Sequence, residues 1–221
     1  MRNSITLILL FLFSIGCTEH SSETLLTGPE IIKRSIRYHD PNGIWSKLKA
    51  SFVIQDSFAA GKESRFYEFS LDNSQSKMVY RIEGLNYIVW NDSVQVFEGE
   101  VDNERALRMR NYYTYLWGLP MKLTDPNTRI EEKVSLEELN GKTYQVVRVP
   151  YEKDIWYFYI EPETYRMAAY KFYQDEQAGK GEIIYLEGEM EFEGMKIPAN
   201  RTWYKTETPE FLGTDKLLEI K

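Results

Sequence analysis

From Ile31 the apolar positions return every three or four residues. Ile31, Ile32, Ser35, Ile36 and Tyr38 or His39 fall on one side of a helix, with Lys33, Arg34 and Arg37 on the other. Thr27-Gly28-Pro29-Glu30 carries the start signal: a threonine to cap, a proline in the first turn where its missing N–H costs little, and a glutamate at capping-box spacing. Asp40-Pro41-Asn42-Gly43 stops the pattern as a turn. The spacing predicts one amphipathic helix over Pro29 to Tyr38.

Between Ile44 and Phe97 the period shortens to two. Tyr67, Phe69 and Leu71 alternate with polar neighbours, as do Met78, Tyr80 and Ile82, and Ala60-Gly61-Lys62, Asp72-Asn73-Ser74, Glu83-Gly84 and Asn91-Asp92 punctuate the runs. This is the pattern of an antiparallel meander. A second helix is predicted over Glu104 to Trp117, capped by Asp102 or Asn103, with Ala106, Met109, Tyr113, Leu116 and Trp117 as its apolar stripe and Gly118-Leu119-Pro120 as its stop. Further strands are predicted at Arg129 to Leu136, Tyr144 to Val149, Ile155 to Ile160, Met167 to Tyr173, Gly181 to Phe192, Lys196 to Thr206 and Lys216 to Ile220. Sheets of about ten strands curl or close instead of lying flat. The expected fold is mainly β, a strongly curved antiparallel sheet whose concave side two helices can cover.

The first residues follow a different rule. Arg2 precedes an apolar stretch, Ile5 to Phe13, that is too short for the roughly 20 residues a membrane-crossing helix needs. Ser14-Ile15-Gly16-Cys17 follows and resembles the bacterial lipobox, with serine where leucine is commoner. That resemblance makes residues 1–16 a lipoprotein signal peptide and Cys17 the lipid anchor, acylated with palmitate or a similar chain. Residues 17–27 are then a polar tether and 28–221 a single domain. Thr18, where an aspartate would favour the inner membrane, points by analogy to the outer membrane, with the body in the periplasm or at the cell surface.

Cys17 is the chain's one cysteine, so no disulfide within the molecule is available and the domain rests on its core. The chain holds 27 Lys and Arg against 34 Asp and Glu, a formal charge of -7; loss of Arg2 leaves 26 against 34, or -8. The basic residues are scattered, which argues against a nucleic-acid partner.

With two histidines, His20 in the tether and His39 at a helix end, the usual base of a Ser/His or Cys/His system and the ligands of a transition-metal site are both missing. No cofactor or metal is expected. Glu187, Glu189, Glu191 and Glu193 alternate with Leu186, Gly188, Met190 and Phe192, the signature of one solvated face more than of a calcium site. Glu161 and Glu163 flank Pro162 in a turn, where a facing acid and base pair is not expected. No catalytic residue is assigned, and the chain is not expected to be an enzyme.

Aromatic residues are the compositional excess: five tryptophans and sixteen tyrosines. Ile155 to Ile160 is apolar or aromatic at every position, so both faces of that strand need partners, one as packing surface and the other as core or cavity wall. The order helix, meander, helix with Gly118-Leu119-Pro120, then more strands resembles the Lol-type carriers (LolA- and LolB-like) and related envelope lipoproteins of the outer-membrane lipoprotein-sorting class. Its most specific local match is Trp156 to Ala168, strand, Glu-Pro-Glu-Thr turn and strand. The resemblance implies a half-open β-barrel with an acyl chain or lipid between sheet and helices. It makes Met109, Tyr113 and Trp117 on the second helix, and Trp90, Phe97, Trp156 and Phe158 on strands, the candidate lining residues. The implied function is a membrane-anchored lipid-binding or lipoprotein-handling envelope protein. A carboxylate-dependent envelope hydrolase and an anchored glycan- or protein-binding module are the alternatives.

Overall fold

A computed structural model describes residues 26–59 and 62–221. The expected signal peptide, Cys17 and all of the expected tether but Leu26 and Thr27 lie outside the described residues. The first helix, α1 (Gly28–His39), begins where its cap predicts: the Thr27 N–H donates to Glu30 Oε2 at 2.8 Å. The meander follows as β1 (Lys49–Phe58), β2 (Arg65–Asp72), β3 (Lys77–Ile82), β4 (Leu85–Trp90) and β5 (Ser93–Glu98). Helix α2 (Asn103–Trp117) interrupts it, with Asp102 accepting from the Arg105 N–H at 2.7 Å. The second run is β6 (Val134–Leu139), β7 (Lys142–Pro150), β8 (Ile155–Ile160), β9 (Met167–Asp175), β10 (Lys180–Phe192), β11 (Met195–Lys205) and β12 (Phe211–Ile220).

These twelve strands make one antiparallel sheet in the order β5-β4-β3-β2-β1-β12-β11-β10-β9-β8-β7-β6. Each strand is a hairpin neighbour of the next except at one place, where β1 pairs with β12 and joins the two runs. The edges β5 and β6 do not pair, so the sheet curls without closing, and both helices cover the same face.

Two strand starts differ from the predicted ones by five residues. Residues 129–133 were expected to start β6, but they leave the ladder to serve α1: the Gly28 N–H donates to Glu132 O at 3.0 Å, and Glu131 N reaches Arg148 O at 3.1 Å. β12 starts five residues before Lys216, and Gly213 within it lies against the Ser57 backbone, where a Cβ would meet Ser57 O at 2.5 Å.

The helix-covered face holds two apolar clusters. One packs Phe52, Phe69, Tyr87 and Val89 against Ala106, Tyr113 and Trp117 of α2. The other packs Val147, Phe158, Tyr170 and Ile184 against Ile31 and Ile32 of α1 and Leu116 of α2. Adjacent residues Leu116 and Trp117 therefore enter different clusters, and α2 bridges them.

His39, fully buried at the end of α1, fixes that helix to two strands. Nδ1 lies 2.7 Å from Lys196 O on β11, and Nε2 accepts from the Met167 N–H of β9 at 3.1 Å. These partners require the neutral Nδ1–H tautomer, and burial pushes the pKa down to about 4.

Candidate functional site

The ring stack beneath α2 is solid. Phe52 and Phe69 lie 4.8 Å apart and nearly parallel, Tyr113 stacks on Phe69 at 4.8 Å, and Trp117 completes the group at 5.8 Å from Phe52. Against the Trp117 ring sits Arg201 of β11, its guanidinium carbon 3.5 Å from a ring centroid. Arg201 is 1% exposed, donates from Nη1 to Pro198 O at 2.8 Å, and has no partner for Nε.

Open volume lies at the rim of this core. A cleft of about 1020 Å³ runs along the C-terminal half of α2, at the upper end of the range typical of ligand pockets. Its apolar wall comes from Ile36, Trp45, Tyr115, Met121, Tyr151 and Trp156. The hydroxyls of Tyr115 and Tyr151 join at 2.9 Å, and Trp156 packs edge-on to Tyr115 at 5.3 Å. Asp40 at its floor is taken up internally, accepting from the Ile44 and Trp45 N–H groups at 2.8 and 2.9 Å. Lys77, Arg108, Arg110 and Lys122 stand around it.

A smaller pocket of about 340 Å³ opens beside Met109, Tyr112 and Tyr113, and Tyr112 lines both. It gathers Asp56, Glu182 and Asp215 with Arg65 and Trp203. Asp56 is ion-paired with Arg65 at 2.5 Å. Asp215 accepts from Trp203 Nε1 at 3.1 Å, and its burial pushes the carboxyl up to about 6. Burial likewise raises Glu182. The sequence reading did not single out these acids, because Asp56, Glu182 and Asp215 are far apart in the chain and meet only through pairing of β1, β10, β11 and β12.

The seven predicted lining residues divide. Trp156 lines the large cleft, and Met109 and Tyr113 line the small pocket. Trp117 and Phe158 are spent inside the packed clusters, at 2% and 0% exposure. Trp90 and Phe97 stay outside both pockets and are more than half exposed. Phe97 falls where the β4–β5 register shifts, which turns it off the ladder.

Glu187, Glu189, Glu191 and Glu193 are exposed, and among the described residues no three metal-ligating side chains converge. Glu161 is held by Arg166 at 2.5 Å and by Thr164, the arginine keeping its carboxyl below the ordinary range. On the uncovered face Tyr157, Tyr159 and Tyr173 surround Lys171, with Nζ 4.9, 5.3 and 5.5 Å from their ring centroids. Lys171 also pairs with Glu137 at 3.2 Å, so that aromatic cluster is filled by the chain's own cation.

A family model described as a family of unknown function, DUF6503, matches residues 81–220. The chain belongs to this family. No curated protein matches the DUF6503 chain. Solved structures similar to it include a LolA superfamily protein from Nitrosomonas europaea, 11% identical, with a TM-score of 0.58 over 89% of this chain and 94% of that one. A DUF1329 family protein from Desulfovibrio piger is 7% identical, with a TM-score of 0.57 over 89% and 93%. A domain described as an outer membrane lipoprotein-sorting protein, from Vibrio parahaemolyticus, is 10% identical, with a TM-score of 0.56 over 88% and 91%. The fold is therefore Lol-like: a curled, unclosed antiparallel sheet with two helices on one face.

Proposed function

We propose that this DUF6503 chain is an envelope lipoprotein, anchored by a lipidated Cys17, that binds a lipid or acyl chain beside α2. The observation that carries this reading is the aromatic-walled cleft of about 1020 Å³ along α2 in a Lol-like sheet. Aliphatic chains gain by leaving water for such walls, and the hydroxyls there are already satisfied by one another. The similar structures from Nitrosomonas europaea and Vibrio parahaemolyticus, the second described as lipoprotein-sorting, support the same class of ligand. An anchored member acts as a receptor or envelope factor in place of a soluble ferry.

Mass spectrometry of an organic extract of the purified Cys17→Ser chain tests the binding half. A stoichiometric lipid or fatty acid is expected, and a clean extract, with no uptake of added acyl chains, sinks it. Detergent phase partition tests the anchor: the parent chain should enter the detergent phase and Cys17→Ser the aqueous one.

A second reading, an acid-dependent hydrolase, draws on Asp215 in the smaller pocket, where a carboxyl pushed up to about 6 can hold a proton near neutral pH. Turnover of an envelope polymer that is lost in Asp215→Asn and not in Glu163→Gln would select it.

A further inference from the structure

We infer that the large cleft takes an anionic amphiphile, its acyl chain on the aromatic wall and a phosphate or carboxylate head against Lys77, Arg108 and Arg110. This rests on the acyl-binding reading above and adds the chemistry of the head. The cleft is lined by four cations and two carboxylates, a local charge of +2 in a chain of -7. Both carboxylates are engaged: Asp40 accepts two backbone N–H bonds, and Asp125 is ion-paired with Lys122. Lys77, Arg108 and Arg110 have no carboxylate within 4.0 Å among the described residues, and Glu104, one turn before Arg108 on α2, does not pair with it.

Arg110 is nonetheless fixed in place. Nη1 donates to Ser76 O at 3.1 Å, next to Lys77, and Nε donates to Asn111 Oδ1 at 2.8 Å. Those neutral acceptors orient the guanidinium without cancelling its charge, which leaves donors pre-arranged for an anion. By contrast, Arg65, Arg81, Arg148, Arg166 and Lys171 are each paired with a carboxylate. Three uncompensated cations gathered at one apolar-walled cleft point to a ligand that supplies both the chain and the charge.

The test is calorimetric titration of the Cys17→Ser chain with dodecyl phosphate, laurate, dodecyl maltoside and inorganic phosphate, each amphiphile below its micelle concentration. Both anionic amphiphiles should bind about tenfold or more tighter than the maltoside. The double variant Lys77→Glu, Arg108→Glu should lose that preference while keeping maltoside binding. The charge-matched variant Lys133→Glu, Lys216→Glu, at exposed positions outside the cleft, should keep it. The order of phosphate against carboxylate assigns the source, a phospholipid-type head or a free fatty acid, and either order supports the inference.

Equal binding of charged and neutral amphiphiles overturns the head-group assignment and leaves acyl binding standing. Failure of all three amphiphiles overturns acyl binding itself. Inorganic phosphate bound as tightly as dodecyl phosphate makes this a plain anion site, and equal losses in both double variants make the preference a long-range charge effect. Either result overturns the inference.

Discussion

Two buried side chains give this molecule opposing responses to pH. His39 titrates at about 4 in the folded chain against 6.5 in the unfolded one, so between those values only the unfolded chain holds the proton. Stability therefore rises with pH across that window and is lost on acidification, by on the order of 3 kcal/mol for a shift of this size. Asp215 does the reverse: between 3.8 and about 6 the folded chain keeps a proton that the unfolded one has released, and stability falls as pH rises. Glu30, Glu161 and Glu176, held low by Thr27, Arg166 and Arg148 respectively, add stability that is lost as pH falls below their ordinary value of 4.5. Between pH 4.5 and 6 the two contributions largely cancel in the parent chain, so in His39→Gln, where Asp215 acts alone, stability should fall as pH rises, with a loss of about 1–3 kcal/mol at pH 7 because one of the two backbone partners goes unsatisfied. Urea melts at both pH values measure this, and a variant with the parent slope refutes it. Little of this was legible in the sequence, where His39 reads as a helix-end residue. Its burial comes from β9 and β11, more than a hundred residues away. The place of Trp90 and Phe97 outside both pockets was not legible for a related reason: alternation gives the face of a strand and not its distance from the sheet's edge.

The elements themselves were largely written in the chain. Caps, glycines and prolines placed both helices to within a residue or so, and β8 runs over Ile155–Ile160 as its apolar run predicts. The pairing of β1 with β12 was not legible, because local periodicity carries no signal for a contact between the first and last strands. The end of α2 shows how closely the parts then fit. Gly118 follows its last residue, and a Cβ there would meet Trp45 Cζ2 at 2.3 Å and Lys122 Cγ at 2.6 Å. Trp45 is 7% exposed, so its indole can move only by disturbing the packing around it. Gly118→Ala is expected to cost about 1–3 kcal/mol by overpacking. It should also shift the tryptophan emission, because Trp45 must move. A Gly118→Ala chain with parent melting temperature and emission would show that the junction is loose.

On the scale of the whole molecule, the bridging position of α2 decides how a ligand can enter. Lifting the helix off the sheet would expose Tyr113, Leu116 and Trp117, each at most 6% exposed, and would open both apolar clusters at once. At roughly 1.5–3 kcal/mol per large side chain this costs about 4–9 kcal/mol. The loss of the Arg201 contact with Trp117 adds to it. An opened state at that cost is populated by fewer than about one molecule in a thousand. Ligand entry through the rim cleft needs none of this, because that volume already lies open along Arg108 to Tyr115. The expectation follows that α2 stays docked through the binding cycle. Hydrogen exchange of the amides from Tyr113 to Trp117 should be as slow with dodecyl phosphate absent as with it bound, while Trp117→Ala should lower stability by about 3–5 kcal/mol and speed that exchange in both states. Exchange that is fast in the free protein and slowed strongly by the amphiphile would mean that the helix opens as a lid and that the packed core beneath it is the true binding volume.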